Sequence, residues 1–330
     1  MSTRLRKLVD RARRAVGRGG EEAVRPDGGT VAEGTRSRWA RSDFVSSLPF
    51  WLPPALLVGL FVYGAIGWNF LLSLTDAQGF VDPDYGNLDF DMYARLLGDP
   101  TFWTAARNTL VLLVAFTGIC LVGGLLLAIL VDQQIRFEEG IRTIYLLPMS
   151  LSFVVTAKFW AWIYNAQSGV VNVTLERLGL GWLAQDWLGD PQFTLGAVIF
   201  ALLWQYSGYA MVVYLAGLRA IPTEHFEAAR VDGASTFRMY RRVVVPQLRA
   251  STVSAAVVLM VFALKAFDFL YTLFGKTPGP AADILATMMY RVAFDSSEWA
   301  YGSAVAVVLF LMALAVVGPY LYSEYRRGAL

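Results

Sequence analysis

Three charged side chains lie inside long apolar runs of this 330-residue sequence: Lys158 in one run, Lys265 and Asp268 in another. A charge in the hydrocarbon of a membrane is costly, so charges found there usually pair with one another or line a polar path. Lys265 and Asp268 are three residues apart, a spacing that predicts one shared helical face. The three charges are therefore a candidate path for a polar solute. Aromatic residues that could line the same path are Trp160, Trp162, Tyr206, Tyr209 and Tyr271.

A structural explanation of the same charges stays open. Lys265 and Asp268 could belong to an ion pair between helices, and Lys158 could extend its ammonium group outward to the membrane surface. Normal transport after alanine replacement of both Lys265 and Asp268 would favour this second explanation.

The sequence offers little for metal, disulfide or catalytic chemistry. Cys120 is the only cysteine and lies in an apolar run, and His225 is the only histidine. One thiol forms no disulfide within its chain, and one imidazole without a cysteine cluster is a poor metal site. The aspartates at 82–91 lack the glycine and glutamate of a calcium loop. We therefore expect no catalytic residues, and no metal or cofactor bound by this chain.

The elements that position these residues are predicted to be membrane-spanning helices. Charged residues make up 16% of the chain and hydrophobic residues 56%, whereas an average soluble domain is about 25% charged. Six apolar runs each approach the ~20 residues that a helix needs to cross a bilayer. The predicted fold class is all-α, a polytopic membrane protein with six transmembrane helices. The predicted spans are about 50–73, 106–131, 142–164, 194–218, 250–274 and 299–322.

The distribution of arginine and lysine predicts the orientation of the spans. Residues 1–42 form a basic extension, which is either a disordered cytoplasmic tail or a short amphipathic helix on anionic membrane lipid. Residues 43–330 form one membrane domain. Basic residues recur at 132–142, at 219–249 and at the C-terminus, whereas the segment at 76–99 is acidic. Both termini are therefore predicted to be cytoplasmic, in the cell membrane. The net charge of +2 gives no reason to expect nucleic acid as a partner.

A long polar insert separates the fourth and fifth predicted spans. Pro222 suits the first turn of a helix, and Gly233 suits a left-handed helix stop. Ser235 could then cap a second helix. The insert is predicted to be a helix, a glycine corner and a second helix, with Phe237, Tyr240 and Val244 on one face of the second helix.

The residues of this insert resemble a known motif. Glu227-Ala228-Ala229 precedes Asp232-Gly233-Ala234, and Pro246 then begins the penultimate span. This pattern resembles the EAA loop in the permease subunits of binding-protein-dependent ABC importers. The resemblance covers about residues 48–325, and within the family the chain looks most like the carbohydrate-uptake (MalF/UgpA-like) branch. The other stretches that carry it are 70–76, 93–109, 147–172, 267–271 and 301–304.

The resemblance implies a transport subunit that works with other chains. These are a second homologous permease, two cytoplasmic ABC ATPases that bind ATP and magnesium, and an extracytoplasmic sugar-binding protein. The aromatic residues of the candidate path would then offer their faces to sugar rings. The residues implied to couple the chain to the ATPase are Glu227, Ala228, Ala229, Asp232, Gly233 and Ala234.

Two alternatives remain at this stage. One is an ABC permease for another solute, such as glycerol phosphate, because related importers share the EAA loop. The other is an ion-coupled secondary transporter, although the sequence has none of the paired inverted repeats that such proteins often show. One departure from the family is the turn after the fifth span, where Gly275-Lys276-Thr277 replaces a glycine-rich stretch.

Overall fold

A computed structural model describes residues 35–133 and 138–326, and these ranges contain helices and connecting loops but no strand. Most of the predicted tail lies outside the described residues, although a helix begins at Thr35, within the predicted tail. Contacts divide the chain into two units, one up to Val62 and one from Tyr63. The first unit, where described, is the helix Thr35–Val58 and the start of the π-helical turn that follows it.

Five helical segments in the described part of the chain are long and apolar enough to cross a membrane. They confirm five of the six predicted spans to within a few residues at most ends, because long apolar runs are unambiguous. Span 2 starts earlier than predicted, since Asp99 caps it by accepting a hydrogen bond from the backbone N–H of Thr101. We call these segments span 1 (Ser47–Leu72), span 2 (Pro100–Asp132), span 4 (Thr194–Arg219), span 5 (Arg249–Phe274) and span 6 (Trp299–Tyr322).

The predicted span at 142–164 is not one continuous helix. Span 3 is a pair of helical segments, Glu138–Ser150 and Phe153–Ile163, bent by 103°. Pro148 lies in a 3₁₀ turn that ends the first segment, and the Ser152 hydroxyl accepts a hydrogen bond from the next helix. The break is fastened from span 4, because Gln205 Nε2 donates to the carbonyl oxygen of Leu151 at 2.8 Å. Taken together, the pair is long and apolar enough to be a sixth span, and the alternative is a re-entrant segment.

Span 5 also contains a break. Its first helix, Arg249–Leu264, is capped by Lys265, and Asp268 lies in the first turn of the second helix, Phe267–Phe274. The two charges therefore do not share one uninterrupted helical face, contrary to the prediction. Both side chains are exposed in the isolated chain, and neither forms an ion pair with another residue of the described ranges.

The apolar core has a central cluster that draws on spans 2 to 5 and on the buried segment at 282–286. Spans 2 and 4 approach closely at Gly124, where an added Cβ would lie 2.4 Å from the Cβ of Ala210. A second cluster joins span 6 to the start of span 2 and to short helices between spans. The helices between spans are Asp91–Gly98, Val170–Arg177, Thr223–Val231, Thr236–Met239, Val245–Gln247 and Leu285–Tyr290.

Candidate functional site

The first helix of the insert is Thr223–Val231, and Pro222 precedes it as the N-cap residue instead of lying inside the first turn. Glu224 lies in the first turn, where its charge is favourable to the helix dipole. Ala229 is buried, whereas Glu227 and Ala228 are exposed. The helix therefore packs on the protein through Ala229 and leaves the Glu227 side chain exposed.

The glycine corner has the predicted geometry. Gly233 has a φ of +69°, the left-handed conformation that only glycine adopts without strain. The N–H of Ala234 donates to the carbonyl of Ala229, and the N–H of Gly233 donates to that of Arg230, both at 3.0 Å. These two bonds are the Schellman pattern, which satisfies the last carbonyls of the helix. Asp232 is the C-cap residue of the same turn.

The second helix differs from the prediction in two respects. Ser235 occupies the N-cap position, but its side chain accepts no capping hydrogen bond. Phe237 is 75% exposed, whereas Met239 and Val244 are buried. The reason is the π-helical turn at Tyr240–Val244. A wider turn places residues five apart on one face, which brings Met239 and Val244 together and turns Phe237 outward.

The exposed part of the insert combines apolar and charged side chains. Val231 is 87% exposed and Phe237 75% exposed, and Glu227 lies one helical turn before Val231. On the side toward span 2, a cavity of about 480 Å³ is bordered by Glu227, Arg230 and Asp132. The insert thus has an outward surface suited to a protein partner.

The structure separates the residues of the candidate path. Trp160 and Tyr206 are buried in the central cluster. Tyr206 stacks on Phe262 with ring centroids 4.5 Å apart, and Tyr209 meets the edge of the same ring at 6.5 Å. The remaining members of the path lie elsewhere: Lys158 and Trp162 are exposed in span 3, and Tyr271 packs against Phe267 and Tyr290.

Sequence reasoning missed a set of buried, uncharged polar groups in the same interior. Phe116 and Tyr206 have ring centroids 6.1 Å apart, and Thr117 and Gln205 are their chain neighbours. The search of the apolar runs for charges passed over them, although hydroxyl and amide groups within predicted spans were a readable signal. The buried polar atoms without a protein partner in these spans are Thr117 Oγ1, Thr156 Oγ1, Trp160 Nε1 and Gln205 Oε1.

A polar network joins the start of span 2 to the segment between spans 5 and 6, at the ends of these spans that lie away from the insert. Arg291 forms a bidentate ion pair with the buried Asp283, and this contact raises the pKa of the Arg291 guanidinium. Thr287 donates to the same carboxylate at 2.7 Å, and Asn108 of span 2 donates to the Asp283 carbonyl at 2.9 Å. Lys276, in the turn that departs from the family pattern, contacts Asp295 at 2.7 Å.

The chain matches the family model described as "Binding-protein-dependent transport system inner membrane component" over residues 120–323. It is 58% identical over 290 residues to a xylose/arabinose import permease protein of Haloferax volcanii, covering 88% of this chain and 91% of that protein. It is 50% identical over 277 residues to a probable ABC transporter permease protein of Pyrococcus horikoshii, covering 84% and 94%. A solved bacterial alginate ABC transporter has a chain of the same fold, with a TM-score of 0.73, 22% identity, and coverage of 89% and 98%.

Proposed function

The chain belongs to the inner-membrane components of binding-protein-dependent transport systems, and from this premise we propose that it carries a pentose sugar into the cell. The observation that carries the sugar class is the 58% identity to the xylose/arabinose import permease over nearly the whole of both chains. An extracytoplasmic binding protein would deliver the sugar. The chain would act in the cytoplasmic membrane, with a second, homologous permease completing the path.

The insert supports a coupling role toward a pair of cytoplasmic ABC ATPases, which would bind the ATP and magnesium. Exposed apolar side chains such as Val231 and Phe237 are suited to a protein groove, and Glu227 adds a charge to the same region. Gly233 fixes the corner that sets the direction of the first helix. ATP-driven closure of the ATPases would displace the insert, and the spans would change from an inward-facing to an outward-facing state.

The buried polar atoms of the central cluster support a path for a sugar. A buried hydroxyl or amide without a partner costs free energy, about 1–3 kcal/mol for each group. These atoms are inaccessible in the described conformation, so the hydroxyls of a sugar would supply the missing partners at Thr117, Thr156 and Gln205 only after the spans move apart. Four residues of the candidate path are exposed in the isolated chain: Lys158, Trp162, Lys265 and Asp268. They would line the path only where the second permease covers them.

The test is transport by the complete assembly in proteoliposomes, with labelled xylose or arabinose, the binding protein, the second permease and the ATPases. Glu227→Ala and Gly233→Pro should each lower the number of sugars carried per ATP hydrolysed by roughly tenfold. The spans should remain folded, because the insert lies outside them. Glu224→Ala, on the same helix but outside the motif, is the matched control.

Two results would contradict the proposal. Unchanged uptake in both Glu227→Ala and Gly233→Pro would remove the coupling role from this insert. Wild-type uptake that persists without ATP and collapses with an ion gradient would instead favour an ion-coupled transporter.

A further inference from the structure

Arg219, the last residue of span 4, joins the ends of two other segments. Its guanidinium Nε lies 3.7 Å from Asp132, the last residue of span 2. Its Nη2 contacts Glu138, the first residue of the helix that begins span 3. Both carboxylates are partly buried, with side-chain exposures of 26% and 25%, and neither forms another ion pair in the ranges that the structure describes. One arginine therefore ties three spans together.

The insert rests on two of these spans, spans 2 and 4. Val244 and Leu248, which are 0% and 1% exposed, pack in one apolar cluster with Val131 of span 2 and Leu218 of span 4. Gln133, immediately after span 2, donates a hydrogen bond to the hydroxyl of Tyr240 at 3.1 Å. The insert is thus attached to span 2, from which it is more than eighty residues distant in sequence, as well as to the spans that flank it.

The first half of span 3 is held at two points. Its far end meets span 4 at Gly208, where an added Cβ would lie 2.0 Å from the carbonyl oxygen of Tyr145. Its near end is held by Glu138 on Arg219, while Ile141 only borders the apolar cluster. Without the guanidinium, the near end would be free to pivot about the contact at Gly208.

We propose that Arg219 is a positioning residue for transport: it makes the ends of spans 2, 3 and 4 beneath the insert move as one body when the insert is displaced. This inference rests on the proposed function of the insert. A guanidinium suits the task because its planar fork lets Nη2 hydrogen-bond Glu138 while Nε stays within ion-pair distance of Asp132. Exposed ion pairs add little to stability, and the Arg219 side chain is 48% exposed, so its contribution is to geometry.

The test uses the reconstituted assembly and measures sugars carried per ATP hydrolysed, together with stimulation of ATP hydrolysis by the binding protein. Arg219→Gln should lower the transport ratio by roughly threefold or more while ATP hydrolysis continues. Arg219→Lys keeps the positive charge but is expected to contact only one carboxylate at a time. It should give a transport ratio between those of wild type and Arg219→Gln. Arg177→Gln is the control, because Arg177 is exposed at the end of a helix and forms no ion pair within the described residues.

The double variant Asp132→Asn with Glu138→Gln removes both acceptors and retains the arginine. It should reproduce the loss seen in Arg219→Gln, and it decides the question if that variant folds poorly. An unchanged transport ratio in the double variant, or an equal loss in Arg177→Gln, would overturn the inference. Failure of the proposed function is distinguishable, since wild-type protein would then show no ATP-dependent uptake.

Discussion

Asp99 is the residue for which the structure gives a clear expectation about pH. Burial acts to raise the pKa of its carboxyl, but the Tyr301 hydroxyl and the backbone N–H of Thr101 hydrogen-bond to the charged form. These bonds outweigh burial, and the pKa lies below its ordinary value of 3.8. The Tyr301 hydroxyl donates at 2.7 Å and the Thr101 N–H at 2.8 Å. A lowered carboxyl pKa contributes stability that is present above the unfolded pKa and is lost as the pH falls through the folded pKa.

We therefore expect Asp99→Asn to lower the thermal midpoint of the purified protein at pH 7 by a few degrees. The difference from wild type should shrink as the pH falls below about 4, where the wild-type carboxyl becomes protonated. Thermal unfolding in detergent between pH 7 and pH 3 measures this, and Asp91→Asn is a control whose exposed carboxyl lies in the neighbouring helix. A difference that does not vary with pH would show that the charge of Asp99 is irrelevant to it.

Single residues were predicted unevenly from the sequence. Gly233 was readable because a glycine after a short helix has one common conformational use. Phe237 was placed on the wrong face because a π-helical turn alters the spacing of side chains along the helix. No residue type in the sequence predicts such a turn. The charges of the candidate path were readable, but the missing partners of Thr156 Oγ1 and Gln205 Oε1 emerged only when the neighbours of each atom were known.

Among the helices, the long apolar runs were predictable because hydrophobic length alone decides that they can cross a membrane. The bend of span 3 was not, since proline within a membrane helix is compatible with either a kink or a break. The bend depends on two contacts with span 4. Gln205 donates a hydrogen bond to Leu151, and Gly208 forms a notch where the absent side chain leaves room for the backbone of Tyr145. Neither contact is local in sequence.

The notch gives a prediction about helix packing. Gly208→Ala would place its Cβ 2.0 Å from the carbonyl oxygen of Tyr145 and 2.6 Å from its carbonyl carbon. Backbone has to move to relieve such a contact, so we expect a loss of stability of about 1–3 kcal/mol. Gly196→Ala is the matched control on the same helix, because no atom lies within 4 Å of its added Cβ. Thermal midpoints in detergent compare the two, and equal midpoints would contradict the close approach.

For the molecule as a whole, the orientation of the six segments follows from whether the bent span 3 crosses the membrane. Asp82 precedes span 2 in the sequence and Arg238 follows span 4, and both side chains are exposed. Three crossings place these two residues on opposite sides of the membrane. Two crossings, with span 3 returning to the side from which it entered, place them on the same side.

Cysteine labelling distinguishes these arrangements. In a Cys120→Ala background, Asp82→Cys should react with an impermeant maleimide in intact cells, and Arg238→Cys should react only after permeabilisation. Cys120 itself is fully buried, and wild-type protein is the control for background labelling. Labelling of both introduced cysteines from the outside would reject the orientation predicted from the arginine and lysine distribution.

The bend in span 3 also has a consequence for how the protein is made. The helix Phe153–Ile163 has 11 residues and the helix Glu138–Leu146 has 9, so at about 1.5 Å per residue each covers about half of the ~30 Å hydrocarbon layer. Neither half is a stop-transfer signal that the insertion machinery can recognise by itself. We therefore expect lateral release of span 3 into the lipid to follow delivery of span 4, which supplies the contacts at Gln205 and Gly208. We expect spans 3 and 4 to enter the bilayer together, as one unit.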